Sequence, residues 1–251
     1  MKFIGKITSL LLILLVGFPL ILQGQKARID HVITVVSNLE KKVGDYTANG
    51  FTIRKGKLHA NGLINAHIKF DNSSSFELMS IEGKATDPMA LEYESLLNEG
   101  EGGVYLVMTG FKTESVISLL DKFTIEYEVI KGKLWSYVTF PSDSDLAHLF
   151  FIEYHFDQKD PQDILTHQNG IERISSVVIE GNKSVIDFLK NIGLKHSGQI
   201  SDPGFGIGTE FETQTGNIII VPQKNPNARP RVRSIILKNI TGTKSIRLPL
   251  E

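Results

Sequence analysis

One pattern recurs along this chain, and any fold for it must build the same unit more than once. Ile29-Asp30-His31-Val32-Ile33-Thr34-Val35-Val36 is matched 142 residues later by Ile171-Glu172-Arg173-Ile174-Ser175-Ser176-Val177-Val178. The same offset carries Asp45-Tyr46 onto Asp187-Phe188, and one inserted residue brings Gly50-Phe51 onto Gly193-Leu194. Self-similarity of this kind marks a repeated supersecondary unit. Each copy reads as a strand, a helix, a glycine turn and three more strands. In the first copy the β-branched run Ile29–Val36 is a strand. Asn38 caps a helix over Leu39–Ala48, which Asn49-Gly50 ends. Phe51–Arg54, Asn65–Phe70 and Phe76–Ile81 follow as strands.

A fainter middle copy keeps that order: strand Val104–Thr109, helix Thr113–Lys122, then strands Thr124–Ile130, Leu134–Phe140 and His148–His155. The third copy has strands Ile174–Ile179, Leu194–Gln199, Thr209–Thr213 and Asn217–Val221, with a helix over Lys183–Asn191. Arg233–Ile240 reads as the start of a fourth copy that is not completed. Between the first two copies, Asp87-Pro88 opens a short amphipathic helix rich in acid (Glu92, Glu94, Glu99, Glu101). The plain reading of that helix is a solvated element across the mouth of the first unit; a lid is the other reading.

A tandem βαβββ unit resembles the vicinal-oxygen-chelate superfamily, and within it the glyoxalase-like domain family. The residues that carry the resemblance are Ile29-Asp30-His31-Val32, Gly50-Phe51-Thr52 with His59 and Asn65, Phe76-Glu77-Leu78-Met79, Phe150-Phe151-Ile152-Glu153-Tyr154, and His167-Gln168-Asn169-Gly170. The resemblance implies an α+β fold in which paired modules form a curved, cup-like mixed sheet, here with a third, incomplete module. It also implies a divalent-metal site fed by the first and fourth strands of each paired unit. By position these are His31 and Glu77 from the first unit, and Gly103 and Glu153 from the second. One ligand is therefore missing. One imidazole and two carboxylates suit Zn, Mn, Fe or Ni. The competing reading makes Glu77 and Glu153 ordinary surface carboxylates, because period-2 alternation turns each away from its apolar neighbours. In the third unit Arg173 and Ile219 take the places of His31 and Glu77, so it repeats the fold without the chemistry. It reads as a structural or partner-binding half, completed by a second copy in a homodimer.

His59 and Asn65 are expected to line the cup of a small-molecule ligand, by the same resemblance. Trp135 and Tyr137 share a strand face and form either an apolar cup wall or plain core. The chain has no Cys, which excludes disulfides, thiolate metal sites and Cys nucleophiles. A formal charge of −1 gives no reason to expect nucleic acid as a partner. Seven basic residues, Lys224, Arg229, Arg231, Arg233, Lys238, Lys244 and Arg247, occur with no acid between Glu212 and Glu251. They read either as a surface for an anionic polymer or as charge guarding an edge strand.

The first residues read as an address. Lys2 and Lys6 precede an uncharged run over Ile7–Gln25, and cleavage after Gly24 would leave Gln25 first. An uncleaved segment would be the only membrane contact; either way the domain is expected in the periplasm or secreted. The expected organisation is a signal peptide over 1–24, a glyoxalase-like domain over 25–157 with modules at 29–82 and 103–155, and the third module with its basic strand over 158–251. Three functions fit: a metal-dependent lyase or isomerase acting on a small oxygenated substrate, a metal-free small-molecule binding module, or a cell-envelope interaction protein.

Overall fold

The computed structural model describes residues 27–250. The expected signal peptide lies outside the described residues. The first unit comprises β1 (Arg28–Val35), α1 (Leu39–Ala48), β2 (Arg54–Lys55), β3 (Leu63–Lys69) and β4 (Ser75–Ile81). After α2 (Pro88–Asn98), the second comprises β5 (Gly102–Thr109), α3 (Thr113–Lys122), β6 (Glu128–Lys131), β7 (Trp135–Thr139) and β8 (Leu149–Tyr154). A short α4 (Gln162–Leu165) leads to the third, made of β9 (Arg173–Glu180), α5 (Lys183–Asn191), β10 (Lys195–Asp202), β11 (Gly206–Glu212) and β12 (Asn217–Val221). The chain ends in the hairpin β13 (Val232–Lys238) and β14 (Ser245–Pro249).

Local chemistry explains the helices. Asn38 accepts a hydrogen bond from Lys41 N at 2.8 Å and Asn182 one from Ser184 N at 2.8 Å, so both N-caps are made by side chains. Asp87 does the same for Ala90 N at 2.8 Å, with Pro88 in the first turn where its missing N–H costs nothing.

In every unit the fourth strand lies beside the first and runs parallel to it, giving the local order β1-β4-β3-β2 and its repeats. The first strands of units one and two pair antiparallel, so eight strands form one curved sheet. Unit three has its own partner within the chain, since β13 runs antiparallel along β9. All these strands join in a single mixed sheet of fourteen. Period-2 alternation separates its faces. One buries Phe76, Leu78, Leu106, Phe151, Val177 and Phe188 in a continuous core under α1, α3 and α5. The other, concave over units one and two, buries Ile33, Met79, Tyr105, Val107, Phe150 and Ile152.

Helix α2 fills that concavity, which corrects the reading of it as a wetted surface helix. Ala90, Tyr93 and Leu96 fall on one face and belong to the cup's core. The basic C-terminal residues hold the helix in place. Arg229 pairs with Glu92 and donates to Tyr105 OH at 2.9 Å; Arg231 reaches Glu99 at 2.9 Å. Arg247 grips Asp202, and Arg233 stands 3.7 Å from Glu180. Strand β13 is interior, flanked by β9 and β14, so Arg233 guards no edge, and Arg229, Arg231 and Arg247 are engaged by acids of the same chain.

Gly103 also has a structural reason. Val104 is an extra residue in the β5 ladder, with Ile33 opposite Tyr105 and Thr34 opposite Gly103. Gly103 therefore shares the face of Thr34, away from the cup, and is not the position of a lost ligand. Strand β13 crosses there: a Cβ on Gly103 would lie 2.3 Å from Val232 O, and Gly103 N donates to Leu250 O at 2.8 Å. Substituting Gly103→Ala is expected to destabilise the protein by about 1–3 kcal/mol, the usual range for overpacking. Urea unfolding of parent and variant checks this, with a loss of stability as the expected result.

Candidate functional site

The floor of the cup carries a strip of polar groups running across four strands. It begins on β8, where Tyr154 OH donates to Asp30 Oδ1 at 2.9 Å. Asp30 Oδ1 also meets His31 Nδ1 at 2.6 Å. His31 Nε2 lies 3.4 Å from Glu77 Oε2 on β4. On β3, Asn65 Nδ2 donates to Glu77 Oε1 at 2.7 Å, and His67 Nε2 stands 3.6 Å from that same oxygen. Asp30 and Glu77 are only 8% and 5% exposed.

A β-bulge creates the first part of this strip. Ile29 pairs with Met108 and His31 with Val107, so Asp30 is the additional residue in β1. A bulge turns two successive side chains to one side. Here it puts Asp30 beside His31 in the cup while Ile29 stays in the opposite core. Phe150 closes the site from β8, its ring edge-on to His31 at 6.0 Å.

Burial alone would push His31 down, but the Asp30 hydrogen bond and the charges of Asp30 and Glu77 outweigh it, so its pKa is raised above the usual imidazole value. His67 goes the other way: burial dominates over its Glu77 neighbour and lowers it. The two imidazoles beside one carboxylate are thus shifted in opposite directions. Burial raises the Tyr137 and Tyr154 phenols, with Glu77 adding to the effect at Tyr137 and Asp30 at both, so both stay protonated donors.

Of the expected site residues, His31, Glu77, Asn65 and Tyr137 come together here. Glu153 does not. On β8, Phe150, Ile152 and Tyr154 face the cup, so Glu153 faces the helices with Phe151. Its carboxylate accepts from Lys112 Nζ at 2.8 Å and from Thr113 N at 2.8 Å, capping α3. His59 is exposed, in a turn where Gly62 N donates to its carbonyl. Trp135 is 37% exposed at the rim, opposite Tyr154, so it is not core. The third unit's equivalences also shift. Its bulge lies at Ser175, since Ile174 pairs with Leu237 and Ser176 with Ile236. Ser176, rather than Arg173, therefore takes the place of His31, and Ile219 takes that of Glu77 opposite Val178.

Sequence reasoning passed over Asp30 and Tyr154 as site residues. The available signal for Asp30 was an acid next to a candidate His; without the bulge, alternation would place it on the wrong face.

The ligand set does not fit the metal centre that the resemblance implied. The second unit offers Val104, Tyr105, Val107, Phe150 and Ile152 to the cup, none of them a donor set. Among the described residues no three His, Asp or Glu side chains form a group that could hold a metal ion.

Beside the strip lies a cavity of about 580 Å³, within the range of small-molecule sites. Asp30 and Tyr154 line it, with Arg28, Phe111, Phe156 and Lys159 around them.

Residues 29–185 match the sequence model of the glyoxalase-like domain family. The chain belongs to that family. The glyoxalase-like fold extends over nearly the whole described chain. A hypothetical protein from Staphylococcus aureus superposes with a TM-score of 0.62 at 16% identity, over 87% of this chain and 93% of that one. An extradiol ring-cleaving dioxygenase from B. fuscum gives 0.55 at 11% identity, over 86% of this chain and 57% of that one. Homoprotocatechuate 2,3-dioxygenase from Arthrobacter globiformis gives 0.53 at 9%, over 90% and 80%. At such identities the likeness is one of fold, the vicinal-oxygen-chelate arrangement. No curated protein matches the sequence.

Because His31 is raised in the folded state, the stability it contributes is complete below its unfolded pKa of about 6.5 and is lost as pH rises through the folded value. NMR titration is expected to place the His31 midpoint above that of a free imidazole. The same titration in Asp30→Asn should show a lower midpoint; an unchanged one would contradict the assigned cause.

Proposed function

We propose that this glyoxalase-like protein moves a proton on a small oxygenated substrate, isomerase or lyase chemistry, using the Asp30–His31 pair without a resident metal. The observation that supports this reading is a carboxylate at the edge of a 580 Å³ cavity, backed by an imidazole that a second carboxylate, Glu77, holds from behind. A carbonyl compound in the cavity would present a C–H bond to Asp30. As that bond breaks, the proton goes to the carboxylate and the electron pair to the substrate oxygen, giving an enolate. Arg28 and Lys159 line the same cavity and supply positive charge for that oxygen. Return of the proton to the same or a neighbouring carbon completes an exchange or an isomerisation. Tyr154 and His31 orient Asp30 through its shared Oδ1.

The test is proton NMR in D₂O with small 2-oxo and α-hydroxy carbonyl compounds. Protein-dependent deuterium incorporation next to the carbonyl is expected, reduced at least ~100-fold in Asp30→Asn, the scale of a lost general base. No exchange with any of these compounds, or exchange unaffected by Asp30→Asn, would reject the enzymatic reading. Thermal stabilisation by a compound that does not exchange would instead favour a small-molecule binding module. A stoichiometric divalent metal in the purified protein, lost in His31→Ala, would reject the metal-free mechanism.

We also read the N-terminal segment as a secretory signal, on its basic start and uncharged run. N-terminal sequencing of the mature protein is expected to begin at Gln25; a chain that retains Lys2 and Lys6 would argue for an anchored form.

A further inference from the structure

The third unit has lost the His and Glu of the first, yet its corresponding face is not inert. Arg173 on β9 and Lys238 on β13 are direct cross-strand partners. Like charges placed opposite each other in an antiparallel ladder repel. Both line one recess of about 310 Å³, together with Ser175, Ser176, Gln214 and Asn217. Among the described residues neither cation has a carboxylate within ion-pair distance. The neighbouring acids are engaged elsewhere: Glu172 accepts from Ile240 N, and Glu210 from Asn217 Nδ2 at 2.8 Å. Moreover, Arg173 Nε and Ser175 Oγ are both out of solvent with no hydrogen-bond partner among the described residues. Buried donors left unsatisfied are costly, and a guanidinium more so than a hydroxyl.

The recess is built rather than incidental. Thr215 Oγ1 accepts from Ile29 N at 2.9 Å and donates to Ile29 O at 3.2 Å, fixing its wall to β1. Asn72 donates to Ile174 O at 3.2 Å and to Thr215 O at 2.9 Å, tying the first unit's turn to the same place. Gly216 sits so near β9 that a Cβ would meet Ser175 O at 2.8 Å. The bulge that turns Asp30 into the first cup falls here at Ser175, so Ser175 and Ser176 stand where the first unit has Asp30 and His31.

We propose that this recess is a second binding site, specific for a small oxyanion: the carboxylate or phosphate group of a low-molecular-weight ligand. Such a group would sit between Arg173 and Lys238, relieve their repulsion, and accept from the unsatisfied guanidinium and the serine hydroxyls. Where the first cavity mixes carboxylates with cations, the third unit's recess presents hydroxyls and cations without a carboxylate, so one chain would carry two chemically distinct sites.

The experiment is a thermal-shift and calorimetric titration of the intact protein with inorganic phosphate and, separately, acetate, ionic strength being held constant with NaCl. Binding of at least one probe is expected at one site per chain, raising Tm by at least about 2 °C at saturating probe. Arg173→Gln and Lys238→Gln should each weaken it at least about tenfold, and each should raise Tm without probe by removing one of two opposed charges. His31→Ala should leave it unchanged. Phosphate alone would identify a phosphoryl ligand and acetate alone a carboxylate. Equal stabilisation by chloride, no saturable binding, or binding untouched by both substitutions would overturn the proposal.

Discussion

The concave face depends on how β1 lies against β5. That antiparallel seam joins two modules into one curved sheet, and it is uneven in two places. An extra residue in β1 swings Asp30 in beside His31; an extra residue in β5 turns Gly103 out of the cup. A regular ladder would have left Asp30 under the helices and Gly103 facing the cavity. The site and the docking of the C-terminal hairpin are therefore products of the same seam: one bulge assembles the polar strip, and the other provides the bare backbone over which β13 passes.

Much of this architecture could be read from the residues. Helices α1 and α5 fall where their capping residues and apolar spacing place them, α3 where its apolar spacing does, and the parallel return of each fourth strand follows from the repeated unit. His31, Glu77 and Asn65 were legible through the family resemblance, which assigned them to the first, fourth and third strands of the unit. The failures have different physical origins. A bulge adds one residue and reverses the facing of everything beyond it, and nothing in composition announces it. Such bulges hid the facing of Asp30 and Gly103. Glu153, on the regular ladder of β8, was paired with Glu77 by strand order although alternation turns it to the other side. Arg173 was aligned with His31 by a fixed offset although the register gives Ser176 that place. The docking of α2 was hidden for another reason. The charges that hold it lie more than 130 residues downstream, so local pattern shows the acids and the bases but not their pairing.

The polar strip is also instructive about what a cup needs to retain. A chelate centre draws ligands from both halves, and here the second half has become aromatic and aliphatic. The first half instead builds a polar network, joined from the second half by Tyr154, in which each carboxylate has at least one donor. Buried ionisable groups satisfied in this way are rigid, and rigidity is what positions a proton acceptor against a substrate. The same economy holds at the rim: Tyr105 serves at once as cup wall, as acceptor for Arg229 and as the ring over which that guanidinium lies at 5.4 Å.

The clasp on α2 carries a temporal consequence. The helix is encoded between the first two modules, but Arg229 and Arg231, which fasten it, come after the third. A ribosome making this chain completes both walls of the cup and their plug long before it adds the bolt. Until Arg229 and Arg231 are in place, only packing is available to hold α2 in the bowl. The lock is completed where the segment after the third module lies between β5 and β9. Closure of the cup is thus coupled to synthesis of residues beyond the third module.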